Sequence, residues 1–130
     1  MRIEIRARIH PSESPEKVMA AVNNVAPDIY GIEMRPDEVV CKAGVLTAER
    51  IVDTAIARRA FPVLIRLLER GKHKKGYDLL LNRQAAFMGR INLCENAEES
   101  PLGPIVMTFD SAYVEELILE YEKKGFNHKR

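Results

Sequence analysis

Six consecutive residues, Gly71-Lys72-His73-Lys74-Lys75-Gly76, set three lysines and a histidine between two glycines. Cations converging on a loop whose glycines permit close backbone approach suit the binding of phosphate groups. The loop lies inside a wider basic region. Residues 58–90 carry Arg58, Arg59, Arg66, Arg70, Lys72, Lys74, Lys75, Arg83 and Arg90 against only Glu69 and Asp78, a local charge of +7 that leaves −6 elsewhere. Residues 95–122 hold eight acids and no base. The total hides this segregation, because 20 Lys+Arg against 19 Asp+Glu leave only +1. Charge runs are most often solvated faces, and a basic run also suits an acidic surface on a neighbouring copy, so the pattern alone leaves these readings open.

A second cationic row, Arg2, Arg6, Arg8 and His10, alternates with the apolar residues of the N-terminal segment. On an open sheet it would extend a nucleic-acid surface, with Arg2, Arg6 and Arg8 as secondary contacts. It lacks the aromatic platforms on which RNA-binding sheets stack bases. There is no tryptophan, and the four Tyr and four Phe fall mostly at apolar-face positions. Recognition of an RNA backbone or shape fits these residue types better than base reading.

Signals for catalysis are poor. His10, His73 and His128 stand apart, none at metal-ligand spacing from another His or Cys, so no metal and no cofactor is expected. Cys41 and Cys94 fall on strand patterns and read as small buried hydrophobes, not as a disulfide. The seven glycines form no phosphate-cradling motif, and no serine lies in a nucleophile elbow. His10 and Glu13, across Pro11, are an acid–base pair of the kind that chance supplies in most domains. The expectation is a binding protein and not an enzyme.

The elements that must carry these residues follow from periodicity. Ile3, Ile5, Ala7 and Ile9 alternate with polar residues, the pattern of a strand with one buried and one wet face. Ser14 and Pro15 open a helix whose Val18, Ala21, Val22 and Val25 form one stripe, ended by Pro27. Residues 29–43 read as a hairpin around Pro36-Asp37-Glu38. Thr47 is a candidate cap for a helical region over 48–70, which Pro62 either kinks or divides in two, and Gly71 stops it. Extended segments are expected near Leu79–Leu81, Gly89–Cys94 and Ile105–Phe109. A final helix over 111–124 begins at Asp110 or Ser111, with Val114, Leu117, Ile118 and Tyr121 as its stripe. The order is β-α-β-β-α-β-β-β-α. It implies an α+β domain over 1–125, a mixed but largely antiparallel sheet with helices packed on one face, and a flexible tail over 126–130.

At 130 residues the chain suits one domain with a sizeable core. Its longest uncharged stretches, Val18–Pro27 and Ser100–Phe109, are ten residues each, far short of the roughly 20 needed to span a membrane. The first residues alternate charge and carry no apolar signal run. A cytoplasmic protein is expected, with no membrane partner.

The run Leu81-Asn82-Arg83-Gln84-Ala85-Ala86-Phe87-Met88-Gly89, followed by Pro101-Leu102-Gly103-Pro104-Ile105, resembles the signature of uncharacterised archaeal protein family 0201. The opening strand running into His10-Pro11-Ser12-Glu13-Ser14-Pro15 is similar to that family's start, so the resemblance covers essentially the whole chain. It carries an RNA-binding-domain label and implies a fold like the ribosomal L-five protein. Arg83 stands where the family commonly has lysine, a change that keeps charge but alters hydrogen-bonding geometry. Through the resemblance Gln84 joins the candidate RNA contacts, which are then Arg66, Arg70, Lys72, Lys74, Lys75, Arg83, Gln84 and Arg90. Gln84 also suits a structural role, satisfying buried backbone groups, while Ala85, Ala86 and Gly89 suit a tightly packed turn. Two expectations stand together: a small RNA-binding domain using the 58–90 region, or an interaction module, a homodimer included, whose basic region meets acidic surface such as the last helix.

Overall fold

The computed structural model describes residues 1–124. The expected tail over 126–130 and the domain's limit at Gly125 lie outside the described residues. Strand β1 (Ile3–Arg8) forms where the alternation predicts it. Ile3 and Ile5 are fully buried while Arg6 and Arg8 are exposed, so the register puts the aliphatic side chains inward. Helix α1 (Pro15–Val25) starts with Ser14 as N-cap and Pro15 at its first position. The Ser14 hydroxyl does not cap the helix backbone; it donates to Glu16 Oε1 at 2.7 Å. Strands β2 (Tyr30–Met34) and β3 (Glu38–Ala43) make the expected hairpin.

The central helical region divides at Pro62. Helix α2 (Val45–Ala57) ends at Arg58, Arg59 turns the chain at φ +57°, and helix α3 (Phe61–Arg70) begins with proline in its first turn. Thr47 is not the cap: α2 starts at Val45 with Gly44 as N-cap, and Asp28 supplies the oxygens. Asp28 Oδ2 accepts the Leu46 N–H at 3.0 Å and Oδ1 accepts the Thr47 hydroxyl at 2.5 Å. Gly44 permits this approach, since a Cβ there would sit 2.9 Å from Asp28 Oδ2.

After Gly71 a two-residue strand β4 (Lys72–His73) turns tightly into β5 (Gly76–Leu81). The short helix α4 (Arg83–Phe87) follows, capped by Asn82, whose side chain accepts the Ala85 N–H at 2.8 Å. The segment expected to extend over Gly89–Cys94 does not form a full strand. It is held to β5 by one bridge, Leu81 to Leu93, with Cys94 N–H donating to Leu80 O at 2.8 Å. A single 3-10 turn over Ala97–Glu99 leads to β6 (Ile105–Phe109) and helix α5 (Ser111–Lys123). Of the two candidate caps, Asp110 and not Ser111 caps α5, accepting the Tyr113 N–H at 2.8 Å.

All six strands belong to one sheet in the order β2-β3-β1-β6-β5-β4, and every pairing is antiparallel. The sheet is therefore antiparallel throughout, not mixed. Ile5 sits at its centre, opposite Cys41 on one side and Met107 on the other. The core joins Ile3, Ile5, Val39, Leu79, Ile105 and Met107 to the stripes of α1, α2, α3 and α5, all on one face. The opposite face carries Glu4, Arg6, Arg8, Lys42, Asp78 and Thr108, each partly or fully exposed. An antiparallel sheet tolerates one wet face in this way.

Candidate nucleic-acid interface

The hairpin β4–β5 carries the lysine loop, and its glycines serve the protein's own backbone. A Cβ at Gly71 would lie 2.1 Å from the Asp78 carbonyl oxygen, and one at Gly76, held at φ +148°, 2.2 Å from that of Phe109. The close approach expected toward phosphate is made instead to neighbouring strands. The loop's cations then diverge. Lys72 Nζ stands 5.6 Å from the centre of the Tyr77 ring, within reach of its π face. His73 Nε2 lies 2.7 Å from Asp78 Oδ1, which also accepts the Thr108 hydroxyl at 2.7 Å. Lys74 is exposed at the turn, and Lys75 reaches the wet face of the sheet.

There Lys75 meets Arg2 from the N-terminal segment and Lys42 from β3 around a broad basin of about 730 Å3. The basin brings a primary candidate, Lys75, beside a secondary one, Arg2, and adds Lys42, which sequence reasoning missed. Lys42 was legible as a wet-face position once β3 was phased on its buried Val39, Cys41 and Ala43. Two acids share the basin, and both are engaged. Asp110 Oδ2 accepts the Arg2 backbone N–H at 3.3 Å while its other oxygen caps α5. Glu4 pairs with Arg6 at 3.4 Å, and Arg6 also reaches Glu38 at 3.2 Å. Among the described residues, Arg2, Lys42, Lys72, Lys74 and Lys75 make no ion pair of this kind.

Arg8 is exposed on the same wet face. The candidates on α3 and around α4 do not line this basin. Arg66 and Arg70, one turn apart on α3, both grip Glu95. Arg66 donates to its two oxygens at 3.0 and 2.9 Å, and Arg70 to Oε1 at 2.7 Å. The Arg66 hydrogen bond, reinforced by the charges of both arginines, holds the Glu95 carboxyl below its ordinary pKa.

Arg83 is internal, which removes it as a surface contact. Its side chain is only 6% exposed and pairs with Glu13 at 3.0 Å. Its Nη1 also donates to the Arg8 carbonyl at 2.6 Å and its Nε to the Gly103 carbonyl at 3.1 Å. One guanidinium thus ties β1, the loop before α1 and the loop before β6 together. Gln84 is exposed and does not fill buried backbone groups, and Arg90 is exposed beyond α4. Of the proposed acid–base pair, Glu13 is committed to Arg83 and to the His10 backbone N–H at 2.9 Å, while His10 Nε2 sits 3.0 Å from the Leu102 carbonyl.

Cys41 and Cys94 are both free and buried, and burial pushes the Cys41 thiol up to about 11. Among the described residues no cluster of three His, Cys, Asp or Glu side chains could hold a metal ion. No helix among them is long and apolar enough to cross a membrane.

A six-stranded antiparallel sheet with all its helices on one face defines this chain as an α+β protein that leaves one sheet face open. The chain is 32% identical over 137 residues to a UPF0201 protein of Aeropyrum pernix, covering 91% of this chain and 82% of that one. It is 34% identical to a UPF0200/UPF0201 protein of Archaeoglobus fulgidus, of whose length it spans 32%. A crystal structure of an uncharacterised UPF0201 protein superposes with a TM-score of 0.70 at 34% identity, covering 85% of this chain and 83% of that one. The chain belongs to the UPF0201 family. The UPF0201 protein of Methanococcus jannaschii, 21% identical with a TM-score of 0.69, shares the fold. No family model matches the chain.

Proposed function

We propose that this protein is a small, non-enzymatic cytoplasmic RNA-binding domain that holds the sugar–phosphate backbone on the wet face of its sheet and on the β4–β5 hairpin. The observation that carries the reading is the basin itself. Arg2, Lys42 and Lys75 surround it without ion pairs while both of its carboxylates are already engaged. Lys72 and Lys74 extend the cationic surface along the hairpin. Among the described residues that face exposes no stack of aromatic rings, so backbone contacts dominate and sequence preference is weak. The ribosomal L-five-like character and the RNA-binding label implied by the sequence resemblance belong to this proposal.

Replacing Lys72, Lys74 and Lys75 together with alanine should weaken binding to single-stranded RNA broadly across sequences. The slope of log K against log salt should become shallower by about 2, since each lost phosphate contact contributes ~0.7. Replacing Arg66 and Arg70 should change it far less, because Glu95 already occupies them. An unchanged slope in the lysine variant would move the interface off the hairpin, and a large loss in the arginine variant would move it to α3.

A protein-interaction reading has its own observation. Strand β2 is a sheet edge, and its Tyr30, Ile32 and Met34 are all about half exposed. Exposed apolar edges invite pairing with another chain. Ile32→Lys should abolish any concentration-dependent self-association seen by light scattering. Association that survives the change would place the contact elsewhere, first where the basic hairpin meets acidic surface.

A further inference from the structure

On the helical side of the molecule, opposite the wet face, α2 and α5 leave a groove of about 440 Å3 between them. Its floor is apolar, built by Val52 and Ile56 of α2, Phe61 at the start of α3, and Tyr113 and Leu117 of α5. Ile56 is 53% exposed there. The rim is acidic. Glu116 and Glu120 line it, with Lys124 as the one cation among the described lining residues. Burial, joined by the charges of Glu49, Asp53 and Asp110, raises the Tyr113 phenol above its ordinary pKa, so two further carboxylates from α2 stand near that end. Glu120 meets Lys124 at 3.7 Å with both exposed. Glu49, Asp53 and Glu116 make no ion pair among the described residues.

The chain delivers an occupant to the mouth of this groove. Helix α5 is capped at Lys124, whose N–H donates to the Glu120 carbonyl at 3.1 Å, and Lys124 itself lines the groove. The residues that follow are Gly125-Phe126-Asn127-His128-Lys129-Arg130. Glycine directly after a helix cap turns the chain back through a left-handed conformation, and an apolar residue next to it contacts the helix one turn earlier. By that count Phe126 falls against Tyr121, whose ring meets the Phe61 ring edge-on at 5.6 Å. Lys129 and Arg130 then bring two positive charges to a rim of carboxylates. The lengths agree. Tyr113 to Lys124 spans about 16 Å of helix, and six extended residues reach about 20 Å.

We infer that residues 125–130 double back at Gly125 and occupy the α2–α5 groove of their own chain. Phe126 lies on the apolar floor beside Tyr121 and Phe61, and Lys129 and Arg130 face the carboxylates of Glu116 and Glu120. Docking covers the floor and neutralises the rim. The segment thereby competes for the last helix with any other basic surface, the β4–β5 hairpin of a second copy included. None of this rests on the nucleic-acid reading, since the groove and the wet face lie on opposite sides of the sheet.

The test puts a nitroxide on Asn127→Cys in the full chain and reads the broadening it causes in methyl NMR signals at low protein concentration. Cys41 and Cys94 are buried, so the added thiol takes the label selectively. The Ile56 and Leu117 methyls should broaden severalfold more than that of Met34, on the opposite edge of the sheet from the strand that α5 packs against. Phe126→Ala should cut the effect by at least half. Glu116→Lys with Glu120→Lys should do the same, and adding Lys129→Glu with Arg130→Glu should restore it. A segment held only by its local turn would not show that rescue. Broadening no greater at Ile56 and Leu117 than at Met34, or a doubly reversed chain that is not restored, would overturn the proposal. Broadening seen only between labelled and isotope-carrying chains mixed together would overturn it too, and would give the groove to a second copy.

Discussion

Arg83 shows how far one side chain's role depends on neighbours remote in sequence. Its partners, Arg8, Glu13 and Gly103, come from three separate parts of the chain. Removing one member of a buried ion pair strands the other, so Arg83→Met should cost about 3–5 kcal/mol in urea unfolding. Arg83→Lys should recover only part of this, because an ammonium cannot span the same fork of acceptors. The adjacent Gln84→Ala, at an exposed site, should change stability by under ~0.5 kcal/mol. Equal, small losses at both positions would contradict the structural role assigned to Arg83.

Asp28 makes a second residue-scale case. Partial burial pushes its carboxyl pKa up, but hydrogen bonds from the Thr47 hydroxyl and the Gly44, Leu46 and Thr47 N–H groups outweigh this and hold it below the ordinary 3.8. A carboxyl depressed in the folded state stabilises fully above 3.8, and the contribution disappears as pH falls through the lower folded value. Asp28→Asn should therefore cost about 1 kcal/mol at neutral pH and progressively less in acid. Urea midpoints that fall in parallel for parent and variant down to about pH 2 would show that Asp28 is not the titrating cap.

At the scale of elements, the hairpin β4–β5 is a structural joint before it is a binding loop. Gly71 and Gly76 lie against the carbonyls of Asp78 and Phe109, with no room for a side chain at either. Gly71→Ala should destabilise by more than about 2 kcal/mol, as changes that force backbone apart do. A variant of unchanged stability would mean that these glycines are free for a ligand. The same elements mark what the chain reveals by itself. Strand β1 and helices α1 and α5 were legible because burial repeats along them with periods of two or three to four residues. Helix α4 was not, since Arg83–Phe87 is too short to show a stripe and only Asn82, a cap, announces it. Strand β2 misleads in another way. Its Tyr30, Ile32 and Met34 alternate like a buried face, yet it lies at the sheet edge past a bulge at Gly31, and the alternation buries nothing. Of the candidate interface, Lys72, Lys74, Lys75 and Arg2 were visible in the charge pattern, and Lys42 was not. The capture of Arg66 and Arg70 by Glu95 and the burial of Arg83 were not, because linear charge says nothing about which acids fold back onto which bases.

The whole molecule is one-sided. Its helices cover one face of the sheet, and the charge segregated along the sequence becomes a basic hairpin beside an open face whose acids are already engaged. The central claim is that this surface holds a phosphate backbone. The most direct measurement is the affinity of the unmodified protein for a single-stranded homopolymer RNA across a series of salt concentrations. With Arg2, Lys42, Lys72, Lys74 and Lys75 in contact, log K should fall linearly with log salt at a slope near −3.5, that is, about 0.7 for each of five phosphates, and with similar slopes for different homopolymers. Binding that is absent, or that does not respond to salt, would contradict the account.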